Sequence, residues 1–235
     1  MADKVAVYTG TRNVYPQMYT SLKSLLLNTE MDRVYLIIED DKFPYPVPSN
    51  VLLINASEQT FFKPGSPNYS TSYSYMELLR CALSFILKED LVLWLDIDTI
   101  IDNDISDLFS LDMTGYYYAG AIEPQKCRGI FMYVNVGVLL CNLALLRDTH
   151  KELELIGFLN QYHFDFPGQD VINLLCQGGI RVIGSEYNTN DWGVPCTRPK
   201  VIHYAAVKPD IYKKDWAYQK YERIELPLEE VSNDG

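Results

Sequence analysis

Several absences narrow what this chain can be. No stretch reaches the ~18 uninterrupted apolar residues of a membrane span. Five cysteines are present, an odd number, and no two have CxxC spacing, so neither a disulfide framework nor a zinc site is indicated. Cys81, Cys141 and Cys176 stand among apolar neighbours and read as core residues; together with Cys127 and Cys196 they suit a reducing compartment, the cytoplasm. Basic residues are outnumbered, 20 Lys and Arg against 31 Asp and Glu, for a formal net charge of −11. Such a balance excludes a general nucleic-acid binder, which needs a basic surface. It still permits an anionic ligand where a metal reverses the local field. Met1-Ala2-Asp3-Lys4 runs straight into a strand-like segment, with no secretory pattern. There is no internal repeat, no GxGxxG and no Walker lysine.

What is present fits an ordinary soluble core. The chain has 235 residues, 48% apolar and 22% charged, enough for one large domain and short for two. The expected domain covers residues 1–226, and an acidic, frayed tail covers 227–235. Strand and helix patterns alternate in the first half. Lys4 to Thr9, Arg33 to Ile38 and Val51 to Ile54 read as strands. Tyr15 to Leu26 follows helical spacing with Asn28 near its stop, and Leu78 to Ile86 marks a second helix. Pro44, Pro46 and Pro48 bar regular structure between the second and third strands, and Ser57 to Ser72 reads as an exposed loop. In the second half, Tyr116 to Ala121, Tyr133 to Leu140, Arg181 to Ile183 and Lys200 to Tyr204 read as strands. Asn142 to Tyr162 reads as one helix capped by Asn142, and Gln169 to Gln177 as a short helix stopped by Gly178-Gly179. The β-α-β alternation predicts an α/β fold with a mostly parallel sheet covered by helices, whose ligands bind beyond the carboxyl ends of strands.

The most telling run is Leu91 to Ile101, in which five apolar residues lead into Asp96 and Asp98. Side chains at i and i+2 of a strand share a side, so both carboxylates are expected to emerge together. Two like charges in a buried setting require a compensating cation, and oxygen donors favour magnesium, calcium or manganese. The plainer alternative is strand-end capping, for which Asp102 and Asp104 are better placed. His203 ends a later apolar strand; it is either a satisfied core residue or a ligand, and an imidazole beside two carboxylates suits manganese better than calcium. Thr9-Gly10-Thr11-Arg12-Asn13 is a polar loop after the first strand, either an ordinary βα loop or a nucleotide contact. Asn135 inside an apolar strand needs partners once buried, and Gly137 two residues on allows close backbone approach; substrate binding and a β-bulge both explain the pattern. Asp170, after Gly168-Gln169, favours a helix start whatever else it does.

Taken together, these segments resemble the retaining glycosyltransferases of family 8, which include glycogenin and the bacterial lipopolysaccharide galactosyltransferases. The resemblance covers residues 4 to 210 in family order and is strongest in Leu95-Asp96-Ile97-Asp98-Thr99-Ile100-Ile101, in Asn135 to Leu143, and in His203 to Pro209. It implies a GT-A, Rossmann-like single domain with helices on both faces of the sheet, a UDP-sugar donor, and manganese or magnesium. By the resemblance, Asp96, Ile97 and Asp98 form the metal-binding DxD segment, His203 is the third metal ligand, and Lys208 holds the diphosphate. Thr9, Thr11 and Asn13 resemble the uridine loop, and Arg80 a helix-borne basic residue reaching the donor. Asn135 resembles a residue at the donor sugar, Gln169 the residue beneath the anomeric carbon, and Glu123 a carboxylate between donor and acceptor, with Asp170 a second candidate base or ion-stabilising group.

Three departures stand out. Gly168 replaces a family aspartate that touches donor hydroxyls. The His203-to-Lys208 spacing is one residue short, with Ala206 in place of a glycine. Asp210 stands where an aromatic residue is usual. The resemblance implies hexose transfer from a UDP-sugar, UDP-glucose first, to a glycan or other hydroxyl acceptor. Tyr69, Tyr73, Tyr187 and Trp192 are candidate sugar platforms in loop-like stretches, or ordinary packing. Two alternatives remain at this level: a haloacid-dehalogenase-like phosphatase, suggested by Leu95 to Thr99, and an inactive nucleotide-sugar binder, suggested by Gly168 and the shortened His-to-Lys segment.

Overall fold

The computed structural model describes residues 3–71, 73–128 and 131–227. Its frame is a seven-stranded sheet of β1 (Val5–Gly10), β2 (Arg33–Ile38), β3 (Val51–Asn55), β4 (Leu91–Leu95), β6 (Tyr118–Ile122), β7 (Val134–Asn142) and β8 (Ile180–Ile183), in the order β3-β2-β1-β4-β7-β6-β8. Six of these strands run parallel, and β7 alone is reversed between β4 and β6. β5 (Thr99–Ile101) and β9 (Val201–His203) form a separate antiparallel pair.

Strand alternation divides the core into two layers. Val5, Val7, Val92 and Trp94 point to one face, where α4 (Leu143–Thr149), α5 (Lys151–Gln161) and α6 (Pro167–Leu175) bury Leu146, Leu155, Leu159, Val171 and Ile172. Ala6, Tyr8, Leu93 and Leu95 point to the other, covered by Met18, Leu22 and Leu25 of α1 (Tyr15–Asn28). Strands buried on both sides read as unbroken apolar runs, which is why β1, β2 and β4 are so plain in the sequence. Each fully buried large apolar side chain contributes about 1.5–3 kcal/mol, so these runs anchor the sheet firmly. After β9 come α7 (Pro209–Tyr212) and α8 (Trp216–Arg223). The ammonium of Lys23 on α1 donates to the carbonyls of Glu222 (2.8 Å) and Ile224 (2.9 Å), fixing the end of α8.

Four local expectations are corrected. The single helix expected over Asn142–Tyr162 is two, because His150 turns left-handed (φ 53°) between α4 and α5. Thr149, with its own hydroxyl bonded back to Leu145 O (2.7 Å), and its neighbours Asp148 and His150 are weak helix formers, so the break falls there. Asn142 does cap α4, accepting from Leu145 N at 3.1 Å. The helix expected over Leu78–Ile86 is α2 (Tyr75–Leu78), a tight turn at Leu79–Cys81, and α3 (Leu83–Ile86). The Ser57–Ser72 loop is irregular but not wholly exposed. Phe62 and Asn68 are buried, and Asn68 Nδ2 donates to Leu159 O (2.6 Å) and Tyr162 O (2.7 Å). Finally, Asp104 does cap a turn, accepting from Ser106 N (3.0 Å), whereas Asp102 instead accepts from Lys220 and Tyr221. Ser72 and the tail from residue 228 onward lie outside the described residues.

Candidate active site

β4 stops at Leu95, and Asp96-Ile97-Asp98 forms a turn rather than a strand end. Thr99 closes it, donating to Asp96 O from both its amide (3.2 Å) and its hydroxyl (2.7 Å). The carboxylates therefore meet through a turn and not through strand alternation. The chain then enters β5, whose Thr99 pairs with His203 of β9, and Tyr204 N donates to Asp98 O at 3.0 Å. This backbone pairing carries the imidazole across the chain to the two acids.

Donor atoms of Asp96, Asp98 and His203 all lie within 4.8 Å of one another. Nε2 of His203 is 3.3 Å from Asp98 Oδ1 and 3.9 Å from Asp96 Oδ2. An octahedral ion with bonds of about 2.1 Å sets its ligands about 3 Å apart when adjacent and about 4 Å when opposed, so the spacing fits a cation. Two carboxylates with an imidazole suit manganese better than calcium. The other oxygen of Asp96 is already taken, accepting from Trp94 Nε1 (2.7 Å) and Arg80 Nη2 (3.1 Å). Burial opposes a charged imidazole at His203, but the charge of Asp98 and its hydrogen bond outweigh this and raise the pKa. Burial likewise opposes ionisation of Asp98, yet His203 draws its pKa below the ordinary value. Gly137 makes room for the ring: a Cβ there would lie 2.7 Å from His203 Nδ1.

Around this group lies a cleft of about 400 Å³, within the range of small-molecule sites. Thr9, Thr11, Asn13 and Ile97 line it beside the ends of β1 and β4. Thr9 Oγ1 donates to Met76 O (2.9 Å), and the Thr11 hydroxyl to the Asn13 side chain. Arg80 lies stretched over the Trp94 ring (4.6 Å), donating to Glu77 O (2.9 Å) and Val136 O (2.8 Å). Burial and then the charge of Asp96 push the Glu77 carboxyl above its ordinary pKa.

At the other end of the cleft, Asn135, Glu123 and Gln169 form one hydrogen-bonded group. Glu123 accepts from Asn135 Nδ2 (3.2 Å) and Gln169 Nε2 (2.9 Å), with the Lys126 ammonium 3.8 Å away. The β6–β7 pairing slips between Gly120 and Ala121, from Leu139 to Asn135, so Asn135 and Gly137 sit at a bulge. Of the two explanations offered for this segment, the bulge is present, and Asn135 lines the cleft beside it.

Two expected residues lie apart from the cleft lining. Asp170 binds the Tyr133 hydroxyl and Phe166 N (2.8 Å) at the start of α6. Lys208 is exposed before α7, although Ala205 and Ala206 of the same segment line the cleft. Ala206 adopts φ 61°, the region where glycine is unstrained. Tyr73 and Trp192 line the cleft, whereas Tyr69 stacks on Tyr75 (4.7 Å) and Tyr187 binds Asp107 (2.6 Å). Sequence reasoning missed Glu77, Trp94, Lys126 and Asn188. Glu77 and Lys126 look like surface charges, Trp94 like core, and Asn188 like one of several loop asparagines.

The profile of Glycosyl transferase family 8 matches residues 7–210, most of the chain. The chain belongs to that family. The glycosyltransferase GlyA of Streptococcus pneumoniae is 27% identical over 244 residues, covering 94% of this chain and 34% of that protein. The crystal structure of GlyE from the same species superposes with a TM-score of 0.72 at 21% identity, over 96% of this chain and 61% of that one. The galactosyltransferase LgtC, solved with donor and acceptor sugar analogs, superposes with a TM-score of 0.65 at 19% identity, over 92% and 93% of the two chains. The fold of this family 8 chain is therefore GT-A. The chain spans between 34% and 62% of the length of the curated relatives it matches first. Family 8 membership also leaves the phosphatase-like look of Leu95 to Thr99 a superficial one. Among the described residues, no helix is long and apolar enough to cross a membrane.

Proposed function

We propose that this chain is a retaining, metal-dependent glycosyltransferase that moves a hexose from a UDP-sugar to an acceptor hydroxyl on a glycan. The observation that carries this reading is the convergence of Asp96, Asp98 and His203 on one point in the cleft beyond β1 and β4. When bound there, manganese or magnesium supplies Lewis-acid neutralisation of the departing diphosphate. Thr9, Thr11 and Asn13 hold the uridine, and Arg80 keeps Asp96 oriented. Lys208, in the segment whose Ala205 and Ala206 line the cleft, is assigned to the diphosphate.

The chain's part in the reaction is to position the reactants and exclude water. Gln169 is a poor nucleophile, and its Oε1 already accepts from Val136 N at 3.2 Å. Attack therefore comes from the leaving-group face. The acceptor oxygen bonds to the anomeric carbon as the bond to the diphosphate oxygen breaks, and the acceptor proton passes to that oxygen. Glu123, with Lys126 beside it, stabilises positive charge on the sugar. Asp170 acts at one remove, through Tyr133 and the start of α6.

UDP-glucose is the proposed first donor. Gly168 offers no hydroxyl-binding carboxylate, and a Cβ there would come within 3.2 Å of Arg80 Nε, so a hexose held differently or a 6-deoxyhexose also fits. Tyr73, Phe166 and Trp192 at the cleft suit the face of an acceptor sugar. The cytoplasm is the proposed compartment.

Calorimetry of UDP binding, with and without manganese, tests the reading on the native chain and Asp98→Asn. Manganese is expected to strengthen binding to the native chain, and the variant to lose most of that gain. Equal affinities in all four conditions would sink it. Turnover assays with UDP-glucose, UDP-galactose and a UDP-6-deoxyhexose decide the donor; a clear preference for UDP-galactose counts against both donor ideas. UDP binding without turnover on any donor identifies an inactive binder instead.

A further inference from the structure

Two backbone N–H groups fix the orientation of every amide between His203 and Gln169. A peptide N–H can only donate, so the one at Gly137, 2.9 Å from Asn135 Oδ1, settles which end of that amide is oxygen. Asn135 then donates through Nδ2 to Glu123 Oε1 (3.2 Å). Asn188 must turn its own Nδ2 to Asn135 Oδ1 (2.8 Å), which leaves Asn188 Oδ1 facing His203 Nδ1 at 2.8 Å. An amide oxygen only accepts, so the imidazole must carry a proton on Nδ1. From the other side, the N–H of Val136 fixes Gln169 Oε1, so Gln169 Nε2 donates to Glu123 Oε2 (2.9 Å). Glu123 accepts at both oxygens and ends the chain.

From His203 to Glu123 every link is buried: His203 is 5% exposed, Asn188 1%, Asn135 5% and Glu123 3%. Water is thus in no position to replace a wrongly turned amide, and each unpaired buried group would cost about 1–3 kcal/mol. Asn190 Nδ2 adds a second donor to Asn188 Oδ1 at 3.2 Å, which reinforces its role as the oxygen end.

We propose that Asn188 is the positioning residue of His203, holding the imidazole as its Nδ1–H tautomer and so turning an unprotonated Nε2 toward Asp96 and Asp98. Orientation of a ligating histidine by a partner on its far nitrogen sets both tautomer and ring angle. Through Asn135, Asn188 also joins the cation group to Glu123 at the opposite end of the cleft. The proton on Nδ1 does not depend on any cation, whereas without one Nε2 shares a proton with Asp98; the freeing of Nε2 and the use made of it rest on the function proposed above.

The test uses protein labelled with 15N in histidine. The chain has three histidines, and the His203 signals are identified by their loss in His203→Gln. In metal-free native protein at alkaline pH, His203 is expected to show the Nδ1–H pattern. Asn188→Leu is expected to lose that pattern and to bind manganese about tenfold or more weakly by calorimetry without donor. Asn188→Asp keeps an acceptor oxygen toward Nδ1 while losing the donor to Asn135 Oδ1, and is expected to retain the Nδ1–H pattern. An Nε2–H ring in the native chain overturns the assignment, as does Asn188→Leu with unchanged pattern and affinity. Should Asn188→Leu fail to fold, the native spectrum and Asn188→Asp still decide. A native chain that shows the Nδ1–H pattern yet binds no manganese overturns the metal-dependent function and leaves the assignment of Asn188 standing.

Discussion

The imidazole of His203 occupies the space that a side chain at position 137 would need. A Cβ on Gly137 would stand 2.7 Å from Nδ1 and 2.8 Å from Nε2 of that ring, well inside any real contact. Gly137→Ala is therefore expected to push His203 off the two aspartates, abolish the manganese effect on UDP binding, and cost about 1–3 kcal/mol by overpacking. Gly157→Ala is the matched control. Gly157 lies in α5 with nothing within 4 Å of a new Cβ, so alanine there should stabilise by about 0.5–1 kcal/mol without touching UDP binding. Calorimetry and urea melts on both variants check the pair.

Arg80 offers the only guanidinium bonded to Asp96 among the described residues, and its side chain is 3% exposed. Arg80→Met keeps the length and the packing on Trp94 but strips Asp96 of its counter-charge. The metal-free variant is expected to lose about 3 kcal/mol of stability. Manganese should then raise its melting temperature more than it raises that of the native chain, because the ion supplies the missing positive charge. An equal increment in both proteins would show that Arg80 does not carry this compensation.

Ala206 holds a left-handed backbone at the edge of the cleft. That conformation costs an L-residue about 1–2 kcal/mol, part of which glycine would give back as extra freedom in the unfolded chain. Ala206→Gly should thus be stabilising by about 0.5–1 kcal/mol net. Thermal melts check it, and a lower melting temperature would refute it.

Glu89 ties β2 to the chain entering β4. Its carboxylate accepts from Arg33 Nη1 (2.5 Å) and Tyr35 Oη (2.6 Å). Burial works against the charge, but these bonds prevail and hold its pKa below 4.5. Stability from this group is present above the unfolded-state value and disappears as pH falls through the lower folded-state value. Glu89→Gln should cost about 1–2 kcal/mol at neutral pH, with the gap to native closing in acid. Urea melts at several pH values would show the closing gap, and a constant difference would speak against it.

The strands were legible because each carries a local signal. β1, β2 and β4 are apolar on both faces, and Asn142 and Gly178 punctuate as their types require. Helix continuity was less legible. Nothing short of the left-handed turn at His150 separates α4 from α5, and the tight turn at Leu79–Cys81 places Arg80 where its Nε reaches Glu77 O. In the site, Asp96 and Asp98 declared themselves by being charged at the end of an apolar strand. Asn188 did not, since an asparagine among loop asparagines differs from its neighbours only in what surrounds it after folding.

By itself the sequence determined the sheet, the two-sided burial and the pair of acids, because hydrophobic periodicity and the cost of buried charge are properties of short segments. The resemblance of its spaced motifs pointed to family 8. Only the tertiary structure decided how the acids are used. The β5–β9 pairing sets His203 against Asp98, the bulge and bare backbone at Gly137 admit the ring, and the Gly137 N–H dictates, through Asn135 and Asn188, that Nδ1 carries a proton. These are contacts between residues far apart in the chain. Their energies depend on distance and on the direction of a donor, neither of which exists until the chain has folded.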